Sequence, residues 1–204
     1  MSQPPVTRAT PAARDRVVET VVTAFANDPA FGYFFPDRQT FVDHATTFAR
    51  YLFDRRVQRG TIWIVDGGTS VAMWDEPGAG DDPGDDGPTL RLPAAALARL
   101  DAYHAAVENA LPAERFWYLG ILATHPDAKG RRWGRLVMTP ALELAADAGL
   151  PAYLETTNPN NVRLYQGVGW EVTTSLRVTA LPIWVLRWPA RAAQMPRSQR
   201  GGGH

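Results

Sequence analysis

Residues Thr124 to Gly134 read Thr-His-Pro-Asp-Ala-Lys-Gly-Arg-Arg-Trp-Gly, a glycine-bearing turn carrying Lys129, Arg131 and Arg132. The turn lies between a strand pattern, Phe116 to Ala123, and a helix pattern that begins near Trp133. A helix that opens on such a turn offers unpaired backbone N–H groups beside the positive end of its dipole. Those groups and the basic side chains together suit a phosphate or pyrophosphate. The alternative is an ordinary strand-to-helix turn with solvated arginines, and eleven residues alone do not separate the two.

The neighbouring elements weigh in favour of the phosphate reading. Leu136, Val137, Leu142, Leu144 and Ala145 recur at helical spacing until Ala148-Gly149, a helix-ending pair. Leu150 to Thr157 has the composition of a buried strand, and Asn158 to Asn161 has helix-capping chemistry. A short helix is expected over Val162 to Gly167, and another strand from Gly169-Trp170-Glu171-Val172. Upstream, Thr10-Pro11 predicts a helix start, and Val17, Val18, Val21, Val22, Ala24 and Phe25 form one apolar face that Asp28-Pro29 ends. Ala30 to Pro36 carries Phe31, Tyr33, Phe34 and Phe35, expected as core or as a wall beside a ligand. Phe41 to Val57 predicts a second amphipathic helix. Thr61 to Asp66 and Thr69 to Trp74, joined by Gly67-Gly68, predict a hairpin. Asp75 to Pro88 reads as a mobile loop rich in aspartate and glycine, without the spacing of a calcium loop. Leu97, Leu100, Tyr103, Val107 and Leu111 mark a further helix, and two strands are expected from Thr173 to Trp188 with a turn near Thr179 to Pro182.

The turn, Leu154-Glu155-Thr156, Asn161 and the run Leu164-Tyr165-Gln166-Gly167-Val168-Gly169-Trp170 resemble the GCN5-related N-acetyltransferase (GNAT) family, strongly over Trp117 to Val172. Trp170 stands where that family usually has Phe. Its loop pattern of Gln or Arg, two residues, Gly, one residue, then Gly or Ala falls on Lys129, Arg132 and Gly134, so the middle glycine is an arginine here. Within the family, Ala24 to Pro29, Ala72-Met73-Trp74, Tyr118-Leu119, Pro140 and Tyr153 to Thr156 are most similar to puromycin acetyltransferase and its actinobacterial relatives.

The resemblance implies an α/β fold, a mixed central sheet of six to seven strands flanked by helices, with a splayed strand pair that binds the cofactor. Residues 1–190 are expected as a single domain and 191–204 as a disordered tail. The implied reaction is acetyl transfer from acetyl-CoA, used as cosubstrate, to a primary amine of a small molecule such as an antibiotic or secondary metabolite. By resemblance, Leu122, Ala123 and Thr124 would bind the pantetheine arm through their backbone. Lys129, Gly130, Arg131, Arg132, Trp133, Gly134 and Arg135 would hold the pyrophosphate, and Asn161 would bond the pantetheine. Tyr165 would act as general acid toward the leaving thiolate, and Glu155 as base toward the ammonium. Glu76 and Asp28 are the other candidate bases. Asp28, Tyr33, Phe34 and Trp74 would border the amine, with core packing as the alternative for Trp74. Two further readings stay open: the same fold with other acyl chemistry, and a non-catalytic ligand-binding domain.

Composition narrows the field. Twenty-one basic and twenty-one acidic residues cancel, which removes any global electrostatic argument for nucleic acid. The chain has no cysteine, so disulfides, thiolate metal sites and an acyl-cysteine route are excluded. His44, His104 and His125 do not fall at ligand spacing with acidic residues, and no metal is expected. Neither an apolar run of membrane-spanning length nor a leader-like N-terminus is present, so a cytoplasmic protein, monomeric or homodimeric, is expected.

Overall fold

The computed structural model describes residues 4–78 and 88–189. Most of the predicted acidic loop and the whole predicted tail lie outside the described residues. Seven strands form one sheet in the order β1-β2-β3-β4-β5-β7-β6. They are β1 (Val6–Arg8), β2 (Ile62–Val65), β3 (Ser70–Asp75), β4 (Trp117–Thr124), β5 (Ala152–Thr156), β6 (Glu171–Val178) and β7 (Leu181–Trp188). Every pairing is antiparallel except β4 with β5. The helices are α1 (Arg14–Ala24), α2 (Pro29–Phe34), α3 (Phe41–Val57), α4 (Ala94–Glu108), α5 (Trp133–Asp147) and α6 (Pro159–Gln166).

Strand alternation divides the core in two. On one face Ile62, Ile64, Val71 and Met73 pack with side chains of α1 to α4, including Val17, Phe31, Phe53 and Leu100. On the other, Trp63, Val65, Ala72 and Trp74 pack with Trp133, Val137, Ala141 and Ala145 of α5. One irregularity breaks this parity. The β3–β4 register passes from Met73↔Ile121 to Trp74↔Leu119, which leaves Gly120 as an extra residue. Trp117 and Leu119 therefore join the α5 face, whereas Ile121 and Ala123 join the opposite one. A Cβ at Gly120 would stand 3.0 Å from an Arg56 guanidinium nitrogen, so a larger residue there would press on the Arg56 side chain.

Most elements follow the sequence expectations, but the Asp28-Pro29 step differs. It ends α1 and also begins α2: Asp28 accepts from the N–H groups of Ala30 and Phe31, with Pro29 at the first helical position. The aromatic run from Phe31 onward is thus partly helical, and its rings turn inward in a T-shaped and tilted cluster with Phe48 and Tyr103.

Candidate active site

β4 and β5 pair only over Trp117–Leu119 and Ala152–Leu154. Beyond the bulge at Gly120 they separate, while Glu155 and Thr156 continue to pair with β7. His125 N–H bonds Thr69 C=O at 2.8 Å, which sets the alternation along this end of β4. Leu122 and Thr124 consequently turn their backbone groups toward the gap. Ala123, the residue between them, is buried on the helical face, and its C=O also accepts from the Ser70 hydroxyl.

At the end of β4 the chain makes a short 3₁₀ turn, Pro126–Ala128, capped by His125 Nδ1 accepting from Asp127 N–H. The following loop then enters α5. Gly130 has φ +85°, in the region that favours glycine. Arg132 has φ +60° and ψ +21°, a left-handed conformation, at the N-cap of α5. Arg132 thus holds a backbone shape that glycine would adopt freely. Among the described residues, the N–H groups of Gly130, Arg132, Trp133 and Gly134 have no protein acceptor; those of Lys129, Arg131 and Arg135 do. Arg131 stacks over the Trp133 ring, 4.9 Å from its centroid, and Trp133, the first residue of α5, is buried. Four free donors at the start of a 15-residue helix fit the negative charge of a pyrophosphate, and the strand gap leads from them into the protein.

That gap opens into a cavity of about 780 Å³. Leu122, Thr156, Thr157, Asn161 and Tyr165 line it on the β4–β5–α6 side. Phe25, Asp28, Phe31 and Phe34 line it around α2, and Leu100, Tyr103 and His104 around α4. Glu155 stands between these groups on β5. Tyr118 of β4 donates a short hydrogen bond to Glu155 Oε2, and Tyr103 of α4 donates to Oε1 at 3.2 Å. Burial pushes the Glu155 carboxyl above the usual carboxylate range, an effect opposed by the two hydroxyls and reinforced by Asp75. Burial also raises Asp28, against two backbone N–H bonds that favour its charged form. The Tyr165 hydroxyl is pushed up by burial and by the charges of both Glu155 and Asp28, so the two carboxyls and this phenol share one neighbourhood. Burial lowers His104, keeping it neutral near pH 7.

The structure thus brings Tyr165, Glu155, Asp28, Phe34, Leu122 and Asn161 to one cavity, together with Glu76. It does not bring Trp74, which is 0 % exposed in the α5-side core with Trp63 and Trp117. Sheet parity turns it away from the amine side, so Trp74 is a core residue and not part of the cavity wall. Tyr33 does not line the cavity either; it packs from outside on Phe34, with ring centroids 5.9 Å apart.

Tyr103 and Tyr118 have roles that motif reasoning did not find. Tyr118 was visible as part of a Tyr-Leu match, and Tyr103 only as one apolar position of α4. Their convergence on one carboxylate depends on the packing of α4 over β4 and β5. Arg56 was also missed. It is 8 % exposed, donates to Asp75 at 2.5 Å and to Leu52 C=O, and holds the cavity wall beside the Gly120 bulge. Among the described residues, no group of three or more His, Cys, Asp or Glu could hold a metal, and no helix is long and apolar enough to cross a membrane.

Known proteins share this fold. A crystal structure described as histone acetyltransferase HPA2 and related acetyltransferase from Corynebacterium glutamicum is similar with a TM-score of 0.69, at 22% identity over 95% of this chain and 100% of its own. Mosquito arylalkylamine N-acetyltransferase like 5b is similar with a TM-score of 0.58, at 15% identity over 91% and 99%. The NatC complex bound to Gag peptide and CoA contains a chain similar with a TM-score of 0.53, at 11% identity over 92% and 99%. Likeness at such identities shows the fold. The model of the Acetyltransferase (GNAT) family matches residues 30–170, well over half of the sequence, and the chain belongs to that family.

Proposed function

We propose that this protein transfers an acetyl group from acetyl-CoA to the primary amine of a small molecule, in the cytoplasm, with antibiotics and secondary metabolites as the acceptor pool. The observation that carries the proposal is the strand gap beyond Gly120. It joins a loop with four free N–H donors to a cavity that holds Glu155 and Tyr165.

Acetyl-CoA supplies the activated acyl group as a thioester. The protein's part begins with Gly130, Arg132, Trp133 and Gly134, whose N–H groups would receive the pyrophosphate, with Lys129, Arg131 and Arg135 adding charge. Backbone groups of Leu122 and Thr124, with Asn161, would hold the pantetheine and offer a donor to the acyl oxygen. Glu155 would take a proton from the ammonium, directly or through water, and so free the nitrogen lone pair. A new N–C bond would form and the C–S bond break; the leaving sulfur would take the Tyr165 phenol proton, and the second nitrogen proton, lost as the amide forms, would return through water to the Tyr165 phenolate. The raised Tyr165 pKa keeps the phenol protonated ahead of the step, although it also makes the phenol a weaker proton donor. Asp28 and Phe34 would border the acceptor.

A changed acyl donor or a loss of cofactor binding was suggested by Arg132 alone. Its left-handed backbone weakens that suggestion, because the loop keeps its shape and its free donors. Calorimetry with acetyl-CoA and with free CoA, followed by thioester consumption across a panel of amines, tests the proposal. Micromolar binding with turnover is expected; binding without turnover on any amine would leave a ligand-binding domain instead.

A further inference from the structure

The Gly120 bulge assembles a charged pair beside Glu155. An uninterrupted β3–β4 ladder continuing from Met73↔Ile121 would set Asp75 opposite Leu119, with Tyr118 on the other face of the sheet. The extra residue instead sets Asp75 opposite Tyr118, so their side chains share the helical face. Gly120 also leaves room for the Arg56 guanidinium, which reaches in from α3. Arg56 Nη2 donates to Asp75 Oδ2 at 2.5 Å, and Nη1 donates to Leu52 C=O at 3.0 Å. Tyr118 in turn donates to Glu155. Arg56, Asp75, Tyr118 and Glu155 are thus successive neighbours from α3 across β3 and β4 to β5, and all four line the cavity.

This pair is a poor device for stability. Arg56 is buried, and its Nε has no hydrogen-bond partner among the described residues. Replacing such a pair by packed apolar side chains is often neutral or stabilising. Its effect on local charge is more specific. Asp75 acts to raise the Glu155 carboxyl and also the Tyr118 hydroxyl that bonds it. Arg56 offsets that charge at its source. The other groups around Glu155 are Tyr103 of α4, Tyr165 of α6 and Asp28 at the start of α2, while β7 sets uncharged Val185 opposite it. His104 of α4 feels Arg55 and Arg56.

From this arrangement we infer that Arg56 and Asp75 are positioning residues for the transfer step: together they set the charge that Tyr118 and Glu155 experience, and so the readiness of Glu155 to take a proton. They act through those two side chains and not on the reacting atoms. The inference rests on the transferase reading for the use of Glu155 as base. The coupling of the four side chains does not depend on that reading.

The test is titration of the Glu155 carboxyl in the full chain by carbon NMR, with glutamate isotopically labelled at the side-chain carboxyl and the signal assigned through Glu155→Gln. Asp75→Asn keeps an acceptor for Arg56 but removes the negative charge, so the midpoint should fall by about 0.5 to 1 pH unit. Arg56→Met leaves Asp75 uncompensated, and the midpoint should rise by a similar amount. The double variant should return to within about 0.3 unit of the wild type. Arg56→Lys keeps the charge and should stay there too. A merely structural pair would change the melting temperature without these opposed shifts. Asp75→Asn leaving the midpoint in place, or moving it upward, overturns the inference, and so does a shift of the same sign in both single variants. If Arg56→Met does not fold, Asp75→Asn decides the matter alone. The pH profile of kcat/KM for thioester consumption is scored separately. An acid limb that follows the carboxyl in each variant is expected. Turnover with an unmoved limb overturns the positioning role; carboxyl shifts with no turnover on any amine overturn the transferase reading instead and leave the coupling standing.

Discussion

The loop from Lys129 to Arg135 and the cavity around Glu155 meet at one strand gap, yet they are built on opposite plans. The loop is contiguous in sequence and presents backbone donors, so its function depends on the path of the chain more than on side-chain identity. That is how Arg132 can stand at a glycine position, its φ of +60° preserving the turn. The cavity collects side chains from α2, α4, β4, β5 and α6, and its chemistry depends on single atoms such as the Tyr118 hydroxyl and the Glu155 carboxylate. A site made of backbone tolerates substitution but not a change of path. A site made of side chains behaves the other way round.

The largest expected effect is on the cavity. Glu155→Gln should lower kcat/KM by about 10² to 10⁴, the usual weight of a general base, while acetyl-CoA affinity changes less than about twofold. It should also stabilise the fold near pH 7. The folded pKa of Glu155 is raised, so its favourable balance holds below the unfolded value and is lost as pH rises through the folded one. Replacing it with a neutral amide removes that loss, and the melting temperature at pH 7 should rise by about 1 to 3 °C. Parallel loss of cofactor affinity would mean that the two regions are not separable as described.

Tyr165→Phe should lower kcat by about 10²-fold with acetyl-CoA affinity unchanged, since the hydroxyl is invoked only as the sulfur leaves. Rapid-mixing turnover and calorimetry together check this. Unchanged turnover would take Tyr165 out of the mechanism.

Gly130→Ala tests the loop by its path. The added Cβ meets open space, but the φ of +85° strains any side chain-bearing residue. Acetyl-CoA should bind about five- to tenfold more weakly, with kcat at saturation nearly intact. If kcat falls while affinity holds, the loop has a part in chemistry that the comparison denies it.

Tyr118→Phe removes one of the bonds that lower the Glu155 pKa. Because the base must be ionised to act, activity falls as pH drops through that pKa. The acid limb of the kcat/KM profile should therefore start above the ordinary carboxylate range and move to still higher pH in the variant. A limb that stays in place would mean that Glu155 does not control it.

Arg132→Gly is the smallest change. Relief of the left-handed arginine, partly offset by the greater freedom of glycine in the unfolded chain, should add about 0.5 to 1 kcal/mol. That corresponds to about 1 to 3 °C in melting temperature, with acetyl-CoA affinity equal or slightly tighter. A marked loss of affinity would show that the Arg132 side chain itself grips the ligand.

The loop, the order of elements and the pair Asn161 and Tyr165 were legible in the sequence, because a turn that opens a helix and a capped short helix are local events. Periodicities of 2 and 3.6, together with capping residues, encode them within a dozen positions. The same local logic located α3 over Phe41 to Val57 and the β2–β3 hairpin. It located the aromatic run after Asp28 but left open which rings would line a cavity.

Only the tertiary structure decided that. Trp74 and Met73 are adjacent in sequence and equally apolar, yet sheet parity sends one to the α5 face and the other to the helical face. The Gly120 bulge then inverts that parity along β4, so Tyr118 and Ile121 share a face despite their odd spacing. Tyr103 and Tyr118 reach Glu155 only because α4 crosses the sheet where β4 and β5 part, and no local signal couples positions 103, 118 and 155. Backbone conformation follows from short-range sterics and capping, which neighbouring residues carry. The environment of a buried carboxylate follows from long-range packing, which the chain specifies only as a whole.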